Sequence, residues 1–115
     1  MSEQVVKVNN GRVSIPKKFE YIVEPYNGRY YVTCRIFPDG IALYSTELFE
    51  REAKEALEAD NIFYFSRFDW IKCNKTKSNF RFTHKFLKGL EEVVFVEIGE
   101  DKEILGIRPK DIKKN

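Results

Sequence analysis

An internal match between two stretches of the chain constrains its fold more than any other feature. Residues 11–19 match residues 78–86 at an offset of 67, mainly in their apolar positions. Later apolar residues match at an offset of 63, in the pairs Ile41 on Ile104, Tyr44 on Ile107 and Phe49 on Ile112. Units of about 45 residues are too small to bury an apolar face alone. We therefore expect residues 1–115 to form one domain from two fused repeats, about 1–60 and 61–115, that pack against each other.

Each unit predicts short strands joined by tight turns. Asn9-Asn10-Gly11 tolerates positive φ and lies between two alternating apolar stretches, which indicates a hairpin. Pro38-Asp39-Gly40 indicates a second hairpin. In the second unit we predict extended segments at 63–68, 70–73 and 79–82, and a last strand pair around Gly99-Glu100-Asp101. The fold class that follows is α+β and mostly β.

Residues 46–59 predict one longer helix. Ser45 or Thr46 can cap it, because a side-chain oxygen there satisfies a free amide of the first turn. Its predicted buried stripe comprises Phe49, Ala53, Ala56 and Leu57, and its other face is acidic. Two short helical turns are predicted as well, one opened by Pro16 and one capped by Thr83.

Charge is unevenly distributed along the chain. The whole sequence has 20 Lys and Arg against 18 Asp and Glu. Residues 1–60 carry 8 basic and 10 acidic side chains, whereas residues 61–115 carry 12 basic and 8 acidic ones. Between Arg67 and Lys88 only Asp69 is acidic. Such a run is either a solvated face or a surface that attracts phosphates.

Several function classes find no support in the sequence. No apolar run approaches the roughly 20 residues of a membrane helix, and the N-terminus does not resemble a signal peptide, so we expect a cytoplasmic protein without a membrane partner. Cys34 and Cys73 suit reduced core residues. The only histidine, His84, suits a surface or capping position. Catalytic, metal and cofactor motifs are all lacking, so we expect no enzyme, no metal and no cofactor.

The stretch Gly11-Arg12-Val13-Ser14-Ile15-Pro16-Lys17-Lys18-Phe19 resembles the G-R-x-x-I-P-x-x-F core of the SpoVT/AbrB-type swapped-hairpin domains. It is most similar to the first repeat of the MraZ family, and the likeness continues through residues 39–44 and 93–105. Phe63 to Ser66 resembles the entry strand of the second repeat. The second copy of the core, residues 78–86, lacks the glycine, the arginine and the proline. The resemblance implies a double-repeat swapped-hairpin barrel and a DNA-binding transcriptional regulator associated with the nucleoid.

The candidate DNA contacts are basic and amide side chains around the two matching turns. Arg12 can bind a phosphate or a guanine edge through two parallel hydrogen bonds, and asparagine suits adenine. In the first unit the candidates are Lys7, Asn9, Asn10, Arg12 and Lys17. In the second unit they are Lys72, Lys75, Lys77, Asn79 and Arg81, which we expect to add affinity and salt dependence more than specificity.

Duplex DNA is thus the expected partner, with a homo-oligomer to multiply weak contacts. The alternative is a protein-interaction module, phage-borne or divergent, in which the acidic helix 46–59 and the basic region 67–88 bind a partner protein and DNA binding is lost. A third interpretation is binding of RNA or single strands by stacking on aromatic rings, although such rings also suit the core of a β-rich domain. The rings concerned are Tyr30, Tyr31, Phe63, Tyr64, Phe65, Phe68 and Trp70.

Overall fold

The computed structural model describes residues 3–99, 101 and 103–110. Its strands are β1 Glu3–Lys7, β2 Arg12–Ile15, β3 Glu24–Tyr26, β4 Arg29–Phe37, β5 Gly40–Tyr44, β6 Asp69–Lys75, β7 Phe80–Thr83, β8 Glu92–Ile98 and β9 Ile104–Pro109. The helices are α1 Thr46–Glu58 and three short 3₁₀ helices, Lys17–Ile22, Ile62–Arg67 and Lys85–Leu87. The predicted match of Phe49 with Ile112 and the turn residue Glu100 lie outside the described residues.

The strands form a nearly closed antiparallel barrel. Their order around it is β1-β8-β9-β5-β4-β6-β7-β2, and β3 pairs with β4 at the side of this path. The two end strands, β1 and β2, meet at the turn between them, where an isolated bridge joins Asn9 and Arg12. The predicted α+β, mostly β class is confirmed at this level.

The turn at Asn9-Asn10-Gly11 forms as predicted, but the hairpin does not. Asn10 and Gly11 have φ values of 55° and 77°. Beyond the bridge, β1 pairs with β8 and β2 pairs with β7. The reason is burial: in this arrangement the apolar face of β2 lies against the two phenylalanines of β7, whereas β1 is mostly exposed.

Two apolar clusters hold the domain together. The larger fills the barrel and is built from alternate strand residues together with Phe19, Ile22 and Leu87 of the 3₁₀ helices. The smaller lies outside the barrel under α1, around Tyr44 and Phe68. Burial of apolar surface in both clusters is the main stabilising term for such a domain.

The helix begins where predicted, and of the predicted stripe Phe49 packs on the smaller cluster and Ala56 is buried, whereas Leu57 is not. The Ser45 hydroxyl accepts a hydrogen bond from Leu48 N at 3.1 Å, which is the expected cap. Leu48 is buried, whereas Leu57, predicted to be buried, is 69% exposed. Leu48 and Ala56 are eight residues apart and share the packed face; Leu57 is rotated about 100° from Ala56 and points away.

Three predictions for the second half are wrong. Residues 62–67 form a 3₁₀ helix, so Phe63 to Ser66 is not a strand, and the strand that follows is β6. The aromatic side chain of Tyr64 packs on the smaller cluster, which favours a compact turn over an extended segment. Thr83 belongs to β7, and the cap is His84, whose Nδ1 accepts from Phe86 N at 2.9 Å. The strands predicted at 70–73, at 79–82 and around Gly99 form, although residue 79 itself precedes β7.

The offset of 63 is also wrong by one residue between β5 and β9. Ile41 of β5 lies in the barrel core, but Ile104 packs on the smaller cluster outside it. The core residues of β9 are Leu105 and Ile107. Because strand side chains alternate between faces, a shift of one residue exchanges the inner and outer faces.

Candidate nucleic-acid interface

The β2–β7 pair, here called the ribbon, carries two arginines on its outer face. Its inner face buries Val13 and Ile15 opposite Phe82 and Phe80. The alternate residues face outward: Arg12 opposite Thr83, and Ser14 opposite Arg81. No acidic side chain is among these four outward residues. The ribbon therefore brings together one candidate from each half of the chain.

Arg81 lies at the middle of a three-strand row. It is opposite Ser14 on one side and Asn74 of β6 on the other. Its Nε is buried and has no hydrogen-bond partner within the described part of the chain. A buried donor without a hydrogen-bond partner destabilises the folded state. The position of Arg81 is therefore not explained by a stabilising contact of its Nε.

The first turn, Asn9-Asn10-Gly11, has one more basic neighbour than the sequence predicts. Gly11 O accepts a hydrogen bond from His84 N at 3.1 Å, which ties the turn to the chain after β7. A Cβ at Gly11 would lie 3.9 Å from Lys88 Cα and Cγ. Lys88 is therefore beside Arg12's turn. The sequence prediction does not include Lys88 among the site residues. The signal that could have identified it is its position at the end of the basic stretch from Arg67 to Lys88.

The second turn lies at the opposite end of the ribbon. Because β2 and β7 are antiparallel, the first residue of β7, Phe80, lies opposite Ile15, three positions or roughly 10 Å along β2 from Arg12. Asn79 N donates to the Thr76 hydroxyl at 3.2 Å, and the hydroxyl lies 2.9 Å from Asn79 Oδ1. The Asn79 side chain thus stabilises its own turn. Lys77 is exposed in this turn.

Lys75 does not join the outer face of the ribbon. Its Nζ lies 4.5 Å from the centre of the Phe80 ring, and Phe80 faces the barrel interior. A lysine over an aromatic face is held by the negative charge of the ring face. Lys75 therefore covers one end of the core, although its side chain remains exposed.

The remaining candidates flank the ribbon. Lys7 is exposed at the end of β1, opposite Glu92 of β8. Lys17 opens the first 3₁₀ helix directly after β2. Lys72 is exposed on β6, opposite Tyr31 of β4. Asn9 and Asn10 are exposed in the first turn.

His84 adds a titratable group beside the first turn. Burial lowers its pKa, the positive charge of Lys85 lowers it further, and Asp69 partly opposes both effects. The hydrogen bond from Phe86 N requires a lone pair on Nδ1, which the protonated ring lacks. The folded chain therefore favours the neutral imidazole.

The two cysteine thiols lie in the interior of the protein and not at this surface. Burial raises the pKa of the Cys34 thiol to about 12, with a further increase from Asp69, and burial raises that of Cys73 to about 12. Both cysteines are free and buried, as predicted.

Within the described ranges, no three His, Cys, Asp or Glu residues are grouped so as to hold a metal ion. None of the described helices is both long and apolar enough to cross a bilayer.

Comparisons of the chain with protein-family models, with curated proteins and with solved structures each found no match. The family resemblance of residues 11–19 therefore stays a prediction.

Proposed function

We propose that this protein is a duplex-DNA-binding transcriptional regulator of the swapped-hairpin type, acting at the nucleoid. The observation that carries the proposal is the outer face of the ribbon, where Arg12 and Arg81 project from adjacent strands with no acid between them. Guanidinium groups bind phosphates through two parallel hydrogen bonds.

The exchange of strands between the two halves supports the swapped-hairpin part of the proposal. The first strand of each half pairs with a strand of the other half: β1 with β8, and β6 with β4. The offset of 67 relates Val13 to Phe80 and Ile15 to Phe82. The observed pairs are Val13 with Phe82 and Ile15 with Phe80, which is the register expected of strands related by a two-fold axis.

In this proposal the ribbon contacts the phosphates of the duplex, and the first turn contacts the bases and selects the sequence. Lys77 and Lys88, at opposite ends of the ribbon, supply point charges that attract phosphates without selecting bases. Asn10 is exposed at the tip of the first turn and has the donor and acceptor that adenine requires. A homo-oligomer would present several such ribbons to one duplex and raise the overall affinity.

One observation favours a second candidate, a protein-interaction module built on α1. Leu57, Ile62 and Phe63 are each about two-thirds or more exposed just where the acidic helix ends. Exposed apolar side chains next to charge are typical of protein contact sites. In that case the partner protein would cover α1, and the basic surface would serve solubility or the same partner.

A salt titration tests the first proposal against the second. Binding of a random-sequence duplex is measured by fluorescence anisotropy across a salt series for the wild type, for Arg12→Ala and for the control Lys54→Ala on α1. DNA binding predicts an affinity that falls steeply with salt, and a slope reduced by about 1 in Arg12→Ala only. The absence of binding at low salt would reject the DNA proposal and leave the partner-protein candidate.

A further inference from the structure

A groove of about 410 Å³ lies between α1 and the outer faces of β3, β4 and β6. Its lining residues are mainly aromatic and acidic. Four of its lining residues are aromatic and two are acidic, and none is basic: Tyr26, Tyr31, Phe49, Trp70, Glu24 and Glu50.

The aromatic rings of the groove come from both the helix and the sheet. Phe49 of α1 meets Trp70 of β6 edge to face, with ring centres 5.7 Å apart and an angle of 90° between the planes. Trp70 lies opposite Thr33 of β4, which also lines the groove. Trp70 is nevertheless 51% exposed, and Tyr26 is 66% exposed. Their rings therefore remain available to a ligand.

One acidic residue of the groove is held in position. The Thr46 hydroxyl donates a hydrogen bond to Glu24 Oε1 at 2.9 Å, so that the first residue of α1 fixes a carboxylate of β3. Glu24 is opposite Tyr31 across the β3–β4 pair. Glu50 contributes the second carboxylate from α1, across the groove. Neither carboxylate belongs to a salt bridge within the described residues.

This combination selects for positive charge. The face of an aromatic ring carries negative charge and attracts cations, most strongly when the cation is weakly hydrated. Two carboxylates add to that attraction and repel anions. An apolar neutral ligand would gain nothing from the carboxylates. The volume lies in the range of about 300–1,000 Å³ that small-ligand sites occupy.

We propose that this groove binds an organic cation through its alkylammonium group, which would lie against Trp70 and Tyr26 and face Glu24 and Glu50. The site is separate from the ribbon and does not depend on DNA binding. The ammonium group can belong to a free small molecule or to a methylated lysine side chain on a polypeptide. The chemistry of recognition is the same in both cases.

Trp70 makes the site directly observable, because it is the only tryptophan in the chain. Intrinsic fluorescence is titrated with choline and, in parallel, with 3,3-dimethyl-1-butanol, which has the same shape without the charge. We expect a saturable change with choline and at least about tenfold weaker binding of the neutral alcohol. A peptide carrying trimethyl-lysine is the third ligand; tighter binding than choline would assign the ammonium group to a polypeptide, and weaker binding would assign it to a free small molecule.

Matched variants connect the response to the groove. Glu50→Gln and Glu24→Gln should each weaken choline binding about three- to tenfold, whereas Glu58→Gln, on the same helix but outside the groove, should leave it unchanged. Far-UV circular dichroism checks that each variant is folded. Equal binding of choline and the neutral alcohol, or no saturable response of Trp70 to choline or to the trimethyl-lysine peptide, would overturn the proposal. So would folded Glu24→Gln and Glu50→Gln variants that bind like the wild type.

Discussion

Arg12 and Arg81 lie diagonally across the ribbon, one in each half of the chain and both on its outer face. Diagonal neighbours in an antiparallel pair are about 7–8 Å apart, within reach of two adjacent phosphates for side chains as long as arginine. The relationship joins the intact motif of the first half to the second half, where the matching glycine and arginine are absent.

Replacing Arg81 should reduce DNA binding without reducing stability. Arg81→Met keeps the apolar stem over the sheet and removes the buried Nε that has no partner in the described chain. We expect the free energy of unfolding to stay constant or rise by up to about 1 kcal/mol. We expect DNA affinity to fall about 5- to 30-fold. Urea denaturation and anisotropy measure the two quantities, and Arg108→Met on β9 is the control. A loss of stability with unchanged DNA binding would make Arg81 a structural residue.

Gly40 should not tolerate a side chain. A Cβ at this position would lie 2.6 Å from Ile107 O, in the backbone of the neighbouring strand β9. Gly40→Ala should therefore cost about 2–3 kcal/mol, because the backbone of β5 or β9 has to move. Gly106→Ala is the matched control. There the nearest atom is Ile98 Cδ1 at 3.0 Å, at the end of an exposed side chain, and we expect less than about 1 kcal/mol. Thermal or urea unfolding with equal costs for both variants would contradict this explanation.

Stability should depend on the protonation of His84. Its pKa in the folded chain is lowered by burial and by Lys85, so the folded state favours the neutral ring. The contribution is therefore complete above the unfolded pKa of about 6.5 and is lost as the pH falls through the folded value. His84→Asn keeps a cap acceptor that does not titrate. Urea unfolding at pH 7.5 and pH 5 should show that the wild type loses more stability than the variant. An equal loss in both proteins would exclude His84 as the cause.

The two cysteines should be inert while the chain is folded. Burial raises the pKa of both Cys34 and Cys73 to about 12, and the thiolate is the reactive form. At pH 8 we expect reaction with a disulfide reagent to be about a thousandfold slower than for an exposed thiol. Ser78→Cys, in the exposed second turn, supplies that reference within the same protein. Rapid labelling of the native wild type would mean that the barrel opens frequently.

The local elements were largely predictable because their signals are local. A turn of two asparagines and a glycine needs only residues that tolerate positive φ, and Asn10 and Gly11 have it. Ser45 caps α1 for a reason contained in four consecutive residues, Ser45 to Leu48. The 3₁₀ helix at 62–67 has no such local signal, since its aromatic residues suit a strand equally well and only packing on the smaller cluster decides between them.

The sequence by itself determined the alternating strands, the turns, the acidic helix and the concentration of basic residues in the second half. Only the tertiary structure decided which strands pair. A strand's apolar face specifies that it must be covered but not by which partner, and pairing β2 with β7 instead of β1 covers Val13 and Ile15 with aromatic rings. That choice places Arg12 beside Arg81. The separate pairing of β6 with β7 places Lys75 over the Phe80 ring. The groove under α1 has the same origin, because Glu24, Phe49 and Trp70 meet only through the packing of the helix on the sheet.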